Sequence, residues 1–129
     1  MSSLAIVGSQ WGDEGKGRIV DLLSSQVDMV VRFQGGNNAG HTVVRGKDVF
    51  KLHLIPSGIL YPEATCVIGD GVVLNPAVVI EELDNLKKKN INIENLRISC
   101  KAHMVMPYQG LHDRASPYAP YSLSSSFQY

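Results

Sequence analysis

The stretch GSQWGDEGKGR, residues 8–18, decides how the rest of the chain is read. It has the glycines and the lysine of a loop that cradles phosphate oxygens. A standard loop of this kind runs GxxxxGK and then Ser or Thr. Here six residues separate Gly8 from Gly15, Lys16 follows, and Gly17 stands where the magnesium-holding hydroxyl belongs. Two carboxylates, Asp13 and Glu14, lie where phosphate should sit. A carboxylate about 4 Å from a phosphate charge costs about 4 kcal/mol at an effective dielectric of about 20. A divalent cation between Asp13 and the phosphates turns that repulsion into attraction, and Asp13 then supplies the oxygen that Gly17 lacks. The competing reading is that Asp13 and Glu14 merely favour a helix N-terminus. For Glu14 alone that reading stands beside the functional one. Trp11 reads as a packing anchor rather than a contact to a base.

Outward from this loop, the chain alternates strands and helices. LAIV, residues 4–7, is a short apolar run that predicts a strand buried on both faces. Residues 15–25 place Ile19, Leu22 and Leu23 at helical spacing. MVVRFQ, residues 29–34, predicts a second strand, and GGNNAGHT follows it as a second glycine-rich loop. VFKLHL, residues 49–54, alternates with period two, putting Phe50, Leu52 and Leu54 on one face and Lys51 and His53 on the other. With TVV before it and RGKD between, it predicts a β-hairpin. TCVIG, residues 65–69, predicts a buried strand, and LRIS, residues 96–99, one more. Asn75 and Pro76 read as the N-cap and first position of a helix with Val79, Leu83 and Leu86 on its apolar face. Lys87, Lys88 and Lys89 read as its solvated last turn, where cations complement the dipole. The order predicts an α/β domain of P-loop NTPase-like kind: a largely parallel sheet, flanking helices and a β-hairpin insertion, incomplete as a domain.

In an open parallel sheet, loops at the carboxyl ends of strands gather around one crevice, so both glycine-rich loops are expected near one ligand. Asn37 and Asn38 offer amide donors and acceptors, and His41 can exchange a proton near neutral pH. His41 therefore reads as functional, whereas His53, His103 and His112 read as structural.

Composition narrows the partners. The 129 residues suffice for one modest domain. Twelve Lys and Arg balance 12 Asp and Glu, which argues against a general nucleic-acid or anionic-membrane binder. Cys66 and Cys100 match no metal spacing and read as free thiols of a cytoplasmic protein. The start has no basic n-region, and no stretch approaches a membrane span.

Together these stretches resemble the adenylosuccinate synthetase family. The resemblance is carried by QWGDEGKG (10–17), VDLL (20–23), QGGNNAGHT (34–42), LHLIPSGIL (52–60), IGDGVVLNP (68–76) and PYQGLHDRA (107–115). It implies a ligase of purine biosynthesis that joins IMP and L-aspartate, using GTP and Mg²⁺, through a 6-phosphoryl-IMP intermediate. Asp13, His41 and Lys16 would carry the chemistry: Asp13 takes the N1 proton of IMP and ligates Mg²⁺, and His41 donates a proton and steadies the transferring phosphate. Gly12, Asp13, Glu14, Gly15, Lys16, Gly17 and Arg18, with Gly40, His41 and Thr42, would contact GTP. Asp13, Glu14, Gly15, Lys16, Asn38, Ala39, Gly40 and His41 would face IMP. The Gly40 carbonyl would be a second magnesium ligand. A homodimer is implied for the full-length parent.

Two features depart from the family. Arg18 stands where many members have lysine, which keeps the charge. After Ala115 the family continues through a glycine-rich segment, whereas SPYAPYSLSSSFQY, residues 116–129, is rich in Ser, Pro and Tyr and reads as a disordered, unmatched tail of a fragment or frameshifted chain. Residues 1–115 are then the GTP- and IMP-binding part of a synthetase, inactive alone. The alternative is a non-catalytic nucleotide-binding remnant or interaction protein. A generic GTPase or kinase would want Ser or Thr after Lys16, and DxxG or NKxD elements that the sequence does not show.

Overall fold

The computed structural model describes residues 2–9, 15–38 and 40–106. The order is α1 (Lys16–Ser24), β1 (Met29–Gly35), β2 (His41–Arg45), β3 (Asp48–Leu52), a 3₁₀ turn (Ser57–Leu60), β4 (Thr65–Leu74), α2 (Pro76–Lys88), β5 (Leu96–Ile98) and β6 (His103–Met104). The tail at 116–129 lies outside the described residues.

The fold is mixed α/β, built on a parallel sheet with β4 at its centre. β1 pairs with β4 from Met29↔Thr65 to Gly35↔Val72. On the other side β5 pairs with β4 at Cys66–Ile68, and β6 takes the far end at Val73 and Leu74. The β1–β4 register shifts between Arg32 and Gln34. Gly71 sits in this bulge, where a Cβ would come within 2.5 Å of the Phe33 carbonyl oxygen, so the close backbone approach requires glycine. The hairpin forms as its alternation predicts: Arg45 pairs with Asp48 across Gly46 and Lys47, and Phe50, Leu52 and Leu54 are buried while Lys51 and His53 are exposed.

α2 starts where Asn75 and Pro76 place it. The Asn75 side-chain oxygen accepts the Ala77 N–H at 3.0 Å, and Val79 and Leu86 are buried. Lys87 and Lys88 are exposed, but Lys89 is anchored: its ammonium donates to the Val49 carbonyl and lies 4.7 Å from the Phe50 ring centre.

Three expectations need correction. Residues 2–9 carry no regular structure, and Leu4 and Val7 are 73% and 71% exposed. A run such as LAIV specifies burial but not the neighbouring strands that provide it, and it pairs with no strand among the described residues. α1 forms, but Ile19 and Leu22 are exposed; it packs through Val20 and the buried Ser24, whose hydroxyl donates to the Val20 carbonyl at 2.7 Å. The sheet is covered on one face only among the described residues: Val30, Cys66 and Ile68 face the core, while Met29, Val31 and Phe33 of β1 are exposed.

Cys66 lies at the centre of that core, fully buried, and burial pushes its thiol from 9.0 up to about 12. Cys100 is exposed. Iodoacetamide should therefore label Cys100 in the native chain and Cys66 only after unfolding, as read by mass spectrometry. The unfolded chain releases the Cys66 proton above pH 9.0 while the folded chain holds it to about 12. Stability should fall as pH rises past 9.0, and Cys66→Ala should flatten that fall in urea titrations.

Candidate functional site

α1 begins immediately after the first glycine-rich loop. Gly15 caps it with φ 80°, a left-handed conformation, and its carbonyl accepts the Arg18 N–H at 3.0 Å. A helix N-terminus favours anions through its N–H groups and the helix dipole. Lys16 is the first helical residue and Gly17 the second.

The second loop leaves β1 at Gly35 and returns as β2 at His41. Its end packs directly on the start of α1. A Cβ on Gly17 would lie 2.7 Å from His41 Cγ and 2.8 Å from His41 Cβ. Gly40 is crowded in the same way, since a Cβ there would lie 2.6 Å from Cε1 and Nδ1 of His53. The start of α1 meets the second loop at Gly17 because no side chain fits there beside His41, and Gly40 likewise makes room for the His53 ring.

His41 is half-buried, and its Nε2 is buried with no hydrogen-bond partner among the described residues. Burial lowers its pKa; the Arg32 charge adds to this, Asp21 opposes it, and His53 lowers it further. A neutral imidazole with one unsatisfied nitrogen beside a helix N-terminus is suited to a hydrogen bond with a phosphoryl oxygen. Tyr61 ties α1 down from behind, its hydroxyl donating to the Asp21 carbonyl at 3.1 Å. Arg45 stacks 3.9 Å from the Tyr61 ring centre and donates to the Leu60 carbonyl at 2.7 Å.

Of the residues singled out from the sequence, Lys16, Gly17, Gly40 and His41 are brought together. Gly15 caps the same helix end. Arg18 is exposed on α1, Asn38 is exposed in the turn of the second loop, and Thr42 is exposed on β2, paired with Lys51. Trp11, Gly12, Asp13, Glu14, Ala39 and His112 lie outside the described residues. His103 is exposed on β6. No group of three or more His, Cys, Asp or Glu side chains poised for a metal occurs among the described residues.

Sequence reasoning missed three residues. Arg32 is a cation inside an apolar strand; it donates to the His53 carbonyl and, at 2.6 Å, to the Gly36 carbonyl. Burial lowers its pKa and the Glu82 charge opposes that shift. Glu82 is a buried carboxylate of α2 that accepts the N–H groups of His53, Leu54 and Ile55 at 3.0, 2.9 and 3.0 Å. His53, read as structural, sets its ring against Gly40, and its carbonyl accepts from Arg32. The available signal was position: Glu82 falls three residues after Val79 and four before Leu86, on the buried stripe of α2.

Residues 5–121 match the family model described as adenylosuccinate synthetase. The chain belongs to this family. It is 64% identical over 109 residues to the adenylosuccinate synthetase of Heliobacterium modesticaldum, covering 84% of this chain and 25% of the relative. With the Trichodesmium erythraeum adenylosuccinate synthetase it shares 58% identity over 116 residues, covering 90% of this chain and 26% of the relative. Among solved structures, a fully ligated adenylosuccinate synthetase from Plasmodium falciparum superposes with a TM-score of 0.74 at 36% identity, covering 89% of this chain and 27% of that one. The chain thus spans about a quarter of the length of the relatives it matches.

The contact between the two loops of this synthetase-family chain can be tested by a double-mutant cycle. Gly17→Ala should destabilise by about 1–3 kcal/mol through overpacking against His41. His41→Gly removes both struck atoms, so the double variant should be less destabilised than the sum of the single ones, by about 1 kcal/mol or more, in urea unfolding. Strict additivity would show that the loops do not touch.

Proposed function

We propose that this chain is the nucleotide-binding part of a GTP-dependent ligase that joins IMP and L-aspartate into adenylosuccinate. The observation that carries the reading is the packing of Gly17 on His41, which sets the second loop against the start of α1. Family membership supports the choice of reaction. Residues 1–115 form the working unit and 116–129 lie outside it. The parent acts in the cytoplasm as a homodimer. Two free thiols support the compartment.

Each residue has a role set by its chemistry. The carbonyl oxygen of IMP is a poor leaving group until it is phosphorylated, so the first task is its attack on the γ-phosphate of GTP. Asp13 accepts the N1 proton as the oxygen attacks. Lys16 and the positive end of the α1 dipole take up charge on the transferring phosphoryl group. His41 presents Nε2 to a phosphoryl oxygen and supplies a proton as aspartate displaces the phosphate. Asp13 to Lys16 and Asn38 to His41 hold IMP; Gly12 to Arg18 and Gly40 to Thr42 hold GTP. The Asp13 carboxylate and the Gly40 carbonyl would hold Mg²⁺, which would supply positive charge beside the phosphates.

The isolated 129-residue chain should bind GTP and IMP weakly, with magnesium dependence, and should make no adenylosuccinate. Chromatographic analysis of a reaction with all three substrates checks this, and product formation would overturn the claim of inactivity. The catalytic assignment is tested in a chimera in which this chain replaces the matching 109-residue segment of the Heliobacterium modesticaldum synthetase. There Asp13→Ala should reduce turnover by about 10²–10⁴-fold. His41→Asn should lower kcat more than it weakens nucleotide binding. Near-normal turnover with Asp13→Ala would remove the base from the mechanism. Unchanged kcat with weakened binding in His41→Asn would make His41 a binding residue only.

A further inference from the structure

We propose that Glu82 is a positioning residue for the second glycine-rich loop, acting through the backbone of residues 53–55. Its carboxylate grips three successive N–H groups: Oε1 accepts from His53 and Leu54, and Oε2 accepts from Ile55. Successive N–H groups that converge in this way form a nest for an anion, and here the anion is internal. With its backbone so fixed, residue 53 reaches both ends of the loop. Its carbonyl accepts from Arg32, whose other terminal nitrogen donates to the Gly36 carbonyl at 2.6 Å. Its ring packs on Gly40, where no Cβ would fit. His41 follows directly.

The Glu82 charge also supports the positive form of the Arg32 guanidinium against desolvation. The carboxylate anchors the loop through the backbone N–H groups of residues 53–55, and Arg32 ties His53 to Gly36. None of this involves contact between Glu82 and a nucleotide. The effect on nucleotide binding rests on the reading above, in which the loop carries IMP and GTP contacts.

The test uses the full chain, ¹⁵N-labelled, with amide exchange, amide resonances and nucleotide titrations measured on the same samples. Glu82→Gln keeps Oε1 for His53 and Leu54 but sets an amide NH₂ against the Ile55 N–H and removes the charge. Ile55 exchange should then quicken by about tenfold or more. The Gly36, Gly40 and His41 resonances should shift, while those of Val43, Phe50 and the α2 backbone away from residue 82 stay in place. Dissociation constants for IMP and for magnesium-GTP should rise together. Glu82→Ala should do all of this more strongly. Loop resonances unmoved while Ile55 exchange quickens would overturn the proposal and leave Glu82 a core-stabilising group.

Arg32→Lys is the second arm should the Glu82 variants unfold. A lysine keeps the charge but cannot fork between two carbonyls, so the Gly36 and Gly40 resonances should shift with Ile55 exchange unchanged. Their failure to shift would also overturn the proposal. If the unaltered chain binds neither nucleotide, the ligand reading of the loop fails, while the resonance shifts still decide whether Glu82 positions it.

Discussion

The parallel pairing of β1 with β4 is the constraint on which the rest of the structure depends. It brings the end of β1, and so the start of the second glycine-rich loop, to the same side as the end of β4 and the start of α2. The bulge at Gly71 allows the two backbones to stay close through the register shift, and Gly35 then lies opposite Val72. The core packs on the inner face of this seam: Val30 and Cys66 are register partners, and both are buried. From that fixed edge, Arg32 extends to the Gly36 carbonyl and α2 carries Glu82 beneath residues 53–55. The site is thus an outgrowth of the sheet and not an independent loop structure.

Burying an arginine and a glutamate near one another demands explanation, because desolvating charges commonly costs more than their attraction returns. Here the carboxylate is satisfied by three backbone donors, and Arg32 by two carbonyl acceptors. Hydrogen bonds to charged groups contribute about 1.5–3 kcal/mol each, so the donors and acceptors offset much of the desolvation. These partners are backbone groups of loops, which otherwise would have no ladder to join. An apolar pair could fill the same volume but could not hold those loops in register. The charges therefore specify geometry more than they add stability.

Local signals carried most of the fold. The hairpin was legible because alternation from Val49 to Leu54 leaves one choice of buried face, and α2 because Asn75 and Pro76 mark its start chemically. The nearness of the two glycine-rich stretches was legible from topology, and among the described residues they meet at Gly17 and His41. The roles of Arg32 and Glu82 were not, since they arise from partners 21 and 28 positions away in the chain. Period and spacing describe which face a residue takes, not which backbone atoms wait there. LAIV failed for the same reason: its composition states a need for neighbours and cannot supply them.

Seven of the exposed apolar residues make a consistent set. Leu4, Val7, Ile19, Leu22, Met29, Val31 and Phe33 are each at least 47% exposed, and they come from the N-terminal run, one side of α1 and the outer face of β1. Parallel sheets are stable when both faces are covered, and strands written as continuous apolar runs are those buried on both sides. The described residues cover one face. This chain spans 25–26% of the length of the relatives it matches. The apolar pattern of the first 33 residues is therefore that of segments suited to burial on both sides.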